Sequence, residues 1–305
     1  MELALMIEGQ EGVTWDDWCA LAGACEEHDV GTLFRSDHYL SPSHDTSTAH
    51  DAWTTLSALA ARTTTLRLGT LVSPATFRAP ALLANAAATV DVISGGRVEL
   101  GMGAGWLERE HRAFGFPFPD PSIRREMFAE QLEIVHRLWT EERVDFRGHH
   151  YALEQAPAQP KPVQEPRPPL IVGGSGSRST IEAAARFADE YNSPFVSPAE
   201  AAAIKAKLAA RLRFSVMTQL YVGETRDDAL ARARALYDSR ELPQSFEEWL
   251  APRLEHGVVG SVEEVVERLR EYERAGCDRV MLQHLLHTDL EPVRVIGREL
   301  APALA

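Results

Sequence analysis

Hydrophobic and polar positions switch repeatedly between a strand-like and a helical rhythm. Leu3–Ile7, Thr32–Arg35, Leu66–Val72 and Val98–Leu100 read as strands. Helical spacing follows each: Trp15–His28, Asp51–Arg62, the Ala-rich Pro80–Ile93, then Glu108–Phe114 and Arg124–Trp139. Val144–Leu153 resembles a small inserted hairpin, and the Pro-rich stretch Pro157–Pro169 must be extended. The alternation resumes with a strand at Leu170–Val172 and a helix at Thr180–Ala188. It continues with a short strand near Glu190, a helix at Pro198–Arg211, a strand at Phe214–Val222 and a helix at Arg226–Ser239. A helix at Val262–Ala275, opened by the capping-box spacing of Ser261 and Glu264, and a strand at Arg279–Gln283 complete it.

Strand-helix alternation calls for a parallel sheet. About eight strands are counted, and one (β/α)8 TIM barrel with insertions, spanning residues 1–305 as a single domain, accommodates them. A doubly wound open sheet would need a switch point, and none can be located. The 305 residues, 45% of them hydrophobic, suffice for such a core.

The net charge of -14 argues against a nucleic-acid or anionic-membrane surface, since both need basic patches. No run of about 18 apolar residues suggests a membrane span. The three cysteines, Cys19, Cys25 and Cys277, are odd in number and form no C-x-x-C pair, which fits a reducing cytoplasm. Met1–Gly9 lacks the basic and long apolar regions of a signal peptide. His44, His50, His149 and His150 lack a convincing metal-ligand spacing, so no metal is expected.

In a barrel the chemistry sits where strands end. Glu8, Gly9 and Gln10 follow the first strand; Ser36, Asp37, His38 and Tyr39 the second; Ser73, Pro74, Thr76 and Arg78 the third. The fourth runs into Gly101, Gly103 and Gly105, spaced by Met102 and Ala104 and closed by Trp106. Glycines so placed suit close approach to a backbone, or simply a tight turn. Gly173, Gly174, Ser175, Gly176 and Ser177 precede a helix, an arrangement able to bind phosphate through backbone N–H groups or to serve as a capped turn. The last strand ends at Gln283, His284 and His287. His38 beside Asp37 reads as a proton donor oriented by a carboxylate, or as a structural histidine. Glu110 and His111 fit a site lining and an exposed helix face equally well.

Several stretches in order resemble the luciferase-like monooxygenase superfamily, most closely its deazaflavin (coenzyme F420)-dependent oxidoreductase branch. They are Met6–Gly12, Leu33–Tyr39, Leu68–Thr70, Gly96–Trp106, Glu110–Gly115, Pro160–Pro162, Leu170–Ser175, Ala188-Asp189 and Asn192. Motifs cover roughly residues 1–220, and the remainder matches as a general pattern. The resemblance implies a bacterial luciferase-like barrel with the cofactor ring in its mouth. It implies a cis peptide behind the ring, mapped to Leu71-Val72, with Ser73-Pro74 the other place for one. It implies His38 and Asp37 as catalytic residues. It also implies a cofactor site of Glu8, Thr70, Leu71, Val72, Gly103, Ala104, Gly105, Trp106, Gly173, Gly174, Ser175 and Gly176. It implies F420 as the cofactor, with FMN as the alternative. No lysine cluster suits a polyglutamate tail; Lys205, Lys207 and Arg211 share one expected helix. Three functions follow as expectations: hydride transfer between F420 and a small organic substrate, monooxygenation with reduced FMN and a reductase partner, or a non-catalytic flavin-binding barrel. Loops Ser41–His50, Phe114–Ile123 and Arg240–Val258 are expected to set specificity. Ala/Leu-rich helix faces suit either a homodimer or packing on the barrel.

Overall fold

Every residue from Leu3 to Ile7 is buried, as in a strand covered on both faces. Ala4 and Met6 point inward, where they meet Phe34, Leu71, Ile171, Met217 and Met281. Leu3, Leu5 and Ile7 point outward into the layer beneath the helices. The computed structural model describes residues 1–42, 44–45, 48–240 and 242–305. Parts of two loops expected to set specificity therefore lie outside the described residues.

In chain order the elements are β1 (Glu2–Ile7), α1 (Trp15–Glu27), β2 (Thr32–Arg35), α2 (Ala52–Arg62), β3 (Arg67–Pro74), α3 (Pro80–Ser94) and β4 (Val98–Gly103). Next come α4 (Glu108–Phe114), α5 (Pro121–Thr140), the antiparallel pair β5 (Arg143–Arg147) and β6 (Ala152–Pro157), β7 (Leu170–Gly173), α6 (Arg178–Phe187), β8 (Glu190–Pro194) and α7 (Pro198–Lys205). The chain closes with β9 (Arg213–Gly223), α8 (Arg226–Asp238), α9 (Phe246–His256), β10 (Val258–Ser261), α10 (Val262–Arg274), β11 (Arg279–Gln283) and α11 (Glu291–Val295).

Strands run β11-β1-β2-β3-β4-β7-β8-β9, and β9 pairs back onto β11, so eight parallel strands close into the expected TIM barrel. The hairpin β5–β6 stands apart as an insertion. Two expectations are corrected. The helix expected at Pro198–Arg211 ends at Lys205, because the chain turns there and Arg211 donates to the end carbonyls of Ala184, Ala185 and Ala188 beside α6. The stretch expected as a loop at Arg240–Val258 contains α9 and ends on the first residue of β10, with Trp249 and Leu250 buried against Tyr221 and Leu236.

The two ends of the barrel differ. At the amino end Arg279, 1% exposed, pairs with Glu99 (2.8 Å) and Glu190 (2.7 Å). The carboxyl end opens into a cavity. No helix among the described residues is long and apolar enough to cross a membrane.

Candidate active site

The cavity measures about 880 Å3 and is bounded by residues at or beyond the carboxyl ends of β1, β2, β3, β4, β7, β8 and β11, by Met217 and Gln219 of β9, and by residues from the start of α5 and from the segment between α8 and β10. That is the size of a cofactor or substrate site. Of the residues expected to line it, Glu8, His38, Leu71, Val72, Gly103, Ala104, Gly105, Trp106, Gly173, Gly174 and Ser175 do so. Thr70, Asp37 and Gly176 do not. Thr70 is fully buried and donates to Gly101 O at 3.0 Å. The Gly176 N–H donates to the Tyr191 hydroxyl at 2.8 Å, and the Gly174 N–H to Asn192 O at 3.0 Å. Any anion held by this loop would meet Ser175, Ser177 and the first turn of α6 instead.

The glycines of β4 and β7 owe their presence to β3. The β3–β4 register shifts between Thr70 and Ser73, and the Leu71-Val72 peptide is cis while Ser73-Pro74 is not. Val72 then stands where side chains of its neighbours would be. A Cβ at Gly103 would lie 2.6 Å from Val72 Cγ2, and one at Gly173 would lie 2.8 Å from Val72 Cγ1. At Gly101 it would meet Thr70 O at 2.2 Å. The result is a wall of backbone with Val72 raised in it and Trp106, 61% exposed, at its edge. Such a side-chain-poor wall fits a planar ring.

The expected Asp37–His38 partnership is corrected. Asp37 is 1% exposed and its carboxylate accepts from Ser73 Oγ at 2.7 Å and from Arg78 at 2.5 and 3.2 Å. Arg78 also binds Asp51, which accepts from the Tyr39 hydroxyl at 2.6 Å. The carboxylate facing His38 is that of Glu110, fully buried on α4, with Nδ1 to Oε2 2.8 Å. Glu110 Oε1 accepts from the backbone N–H groups of Tyr39 and Leu40, which fixes it under the β2 loop. Burial alone would lower the His38 pKa, but the Glu110 hydrogen bond and charge, helped by Glu8 and Asp37, raise it above the ordinary value. With Nδ1–H committed to Glu110, Nε2 is the atom left for a ligand. His111 is structural: Nε2 meets Thr76 Oγ1 at 2.6 Å and Nδ1 meets Leu107 O at 2.7 Å.

Opposite the glycines lies a polar floor. Glu8 accepts from Gln10 Nε2 (2.9 Å) and Gln283 Nε2 (2.6 Å). Ser36 Oγ donates to Gln10 Oε1 at 2.6 Å and accepts from the Gly9 N–H at 3.0 Å. The rim carries Arg124, Arg125, Arg240, Leu242 and Trp249. Arg240 is paired with Glu11 at 2.7 Å. Lys205, by contrast, binds Asp278 at the amino end, away from the cavity. A surface groove between α8, α10 and α11 has similar volume, but its cations Arg232 and Arg294 are already paired with Asp289, Glu291 and Glu299. Sequence reasoning passed over Glu110 as a partner, although its place in the first turn after the glycine loop was the available signal.

A closed parallel barrel thus presents a buried acid-histidine pair and a glycine wall at the mouth of one cavity. Residues 4–279 match the sequence profile of the luciferase-like monooxygenases, and the chain belongs to that family. An F420-dependent glucose-6-phosphate dehydrogenase of Nakamurella multipartita is 36% identical over 172 residues, 56% of this chain and 50% of that protein. The chain thus spans about half the length of the first curated relatives it matches. An FMNH2-dependent dimethylsulfone monooxygenase of Pseudomonas putida is 27% identical over 287 residues, 83% of this chain and 78% of that one. Among solved structures, an F420-dependent secondary alcohol dehydrogenase in complex with an F420-acetone adduct superposes with a TM-score of 0.80, 21% identity and full coverage of both chains.

Proposed function

We propose that this chain is an F420-dependent oxidoreductase that transfers a hydride between the deazaflavin and a small organic substrate. The observation that carries the reading is the His38–Glu110 pair opening into a glycine-walled cavity. The residues present fit the cofactor: Leu71, Val72, Gly103, Ala104, Gly105, Trp106, Gly173 and Gly174 would hold the ring, and Ser175 and Ser177 its phosphate. When bound, the cofactor supplies or accepts the hydride. The protein supplies the proton. Glu110 holds His38 with Nδ1 protonated, so Nε2 gives a proton to a carbonyl oxygen or takes one from a hydroxyl.

A second reading has one observation in its favour: the FMNH2-dependent monooxygenase aligns over most of the chain. It would require reduced FMN, oxygen and a reductase partner. Thirdly, a barrel that bound flavin without turnover would leave the His38–Glu110 pair without a task. Anaerobic turnover of an alcohol and ketone panel with oxidised and reduced F420 tests the first reading. His38→Ala should lower kcat by about 10²–10⁴-fold, the usual worth of a positioned proton carrier, with the melting temperature kept. Undiminished turnover in that variant would remove His38 from the chemistry. Size-exclusion mass decides whether the barrel works as a homodimer.

A further inference from the structure

Phe195 stands between the end of β8 and Ser197, the N-cap of α7, so the chain turns from strand to helix within two residues. Its φ is +52°, in the left-handed region that glycine and asparagine take readily and a bulky side chain avoids. Its N–H donates to Met217 O at 2.8 Å, which holds the backbone in that turn. Asp29 and Gln155 are the other non-glycine residues with positive φ among the described ones, and neither side chain is apolar. Packing gives no reason for a phenylalanine here: the ring is 45% exposed and belongs to none of the three core clusters. It does line the cavity. A bulky residue held against its backbone preference at a ligand site points to a task there.

Strand order puts β8 four strands around the barrel from β2 in either direction, so Phe195 and His38 mark opposite points of the mouth. Between them on one side runs the wall of β3, β4 and β7; on the other come β1, β11 and β9. That second side is lined by Met217 on β9, by Leu242 and Trp249 from the segment after it, and by Leu285 after β11. A substrate lying on a ring held by the wall, with its reacting oxygen at His38 Nε2, extends across the mouth toward Phe195. We propose that Phe195 determines specificity by receiving the apolar body of the substrate on its ring. The inference rests on the hydride-transfer reading. It names the substrate class as an alcohol, or its carbonyl counterpart, that carries a hydrocarbon ring or chain, and not a polyol.

The probes are 1-cyclohexylethanol and 1-(tetrahydropyran-4-yl)ethanol, which share a shape and differ by one ring CH2 replaced with oxygen. Each is titrated calorimetrically into the F420-loaded, the FMN-loaded and the bare protein. F420-loaded wild type should bind the cyclohexyl compound about tenfold more tightly, since its partner must bury an ether oxygen on an apolar surface. Phe195→Asn accepts the left-handed backbone but removes the ring, and the ratio should fall to about twofold or less. Phe195→Gly should do the same and carries the test if the asparagine variant does not fold. Both variants should melt within about 4 °C of wild type and keep its F420 affinity, read by tryptophan quenching. A wild-type ratio near one, binding of neither probe, or a ratio that survives in both variants overturns the proposal. So does a larger fall in melting temperature, which would make Phe195 a packing residue, or weakened F420 binding, which would give the ring to the cofactor. A ratio seen on the FMN-loaded or bare protein and lost in Phe195→Asn, with no F420 binding, would sink the hydride-transfer reading while leaving the Phe195 contact standing.

Discussion

In the proposed reaction a single imidazole carries the proton, and its partner comes from far along the chain. His38 and Glu110 are 72 residues apart. Asp37, the sequence neighbour, was legible as a carboxylate but points to Arg78 and Ser73. Adjacency in sequence says little about adjacency in space once a strand has ended, which is why His38 was readable and its partner was not. The raised His38 value has a definite sign in pH. The Glu110 pairing stabilises the fold fully below the ordinary histidine value near 6.5, and this contribution is lost as pH rises through the raised folded value. Glu110→Gln keeps an oxygen for the Tyr39 and Leu40 N–H groups but removes the charge. We expect the His38 resonance to titrate at lower pH, the limb of the activity profile assigned to it to move the same way, and kcat to fall at least tenfold. An unmoved titration would show that Glu110 does not set the charge of His38.

At the scale of elements, the glycine run that ends β4 was legible as a place of close approach, but what approaches was not. The visitor is Val72 from β3, brought there by a register shift that leaves no mark in the hydrophobic pattern. Gly103→Ala would set a Cβ 2.6 Å from Val72 Cγ2. Overpacking of this kind costs about 1–3 kcal/mol. We expect a lower melting temperature and weaker cofactor binding together, since Val72 would have to leave the wall; full affinity at unchanged stability would mean the wall is soft. The capping box at Ser261 and Glu264 was readable and forms as expected. The matching box at Ser245 and Glu248, which opens α9, was equally present in the sequence. It was hidden because only Trp249 and Leu250 of that helix are buried, too few to set a helical rhythm.

For the whole molecule, the barrel was legible because β-α alternation repeats along nearly the entire chain. The division of labour between its ends was only half visible. Carboxyl-end residues announced themselves as polar clusters after strands, whereas Glu99, Glu190 and Arg279 lie at the starts of three strands far apart in the chain and meet only when the barrel closes. Arg279→Met would take from two buried carboxylates the cation they share, leaving Glu99 with Arg67 at 2.8 Å and Glu190 with Arg213 at 4.0 Å. The expected loss is about 3–5 kcal/mol by denaturant unfolding, with cofactor affinity unchanged because the site is at the other end. A stability-neutral variant with impaired binding would contradict that separation of ends.

The cavity is read as a deazaflavin site, and tryptophan quenching tests this most directly, with Trp106 at the rim as the reporter. The purified protein should bind F420 at micromolar concentration and FMN much more weakly, and Trp106→Phe should reduce the signal. Tight FMN binding with weak F420 binding would move the chemistry to oxygen-dependent monooxygenation, and binding of neither would contradict the assignment of this cavity.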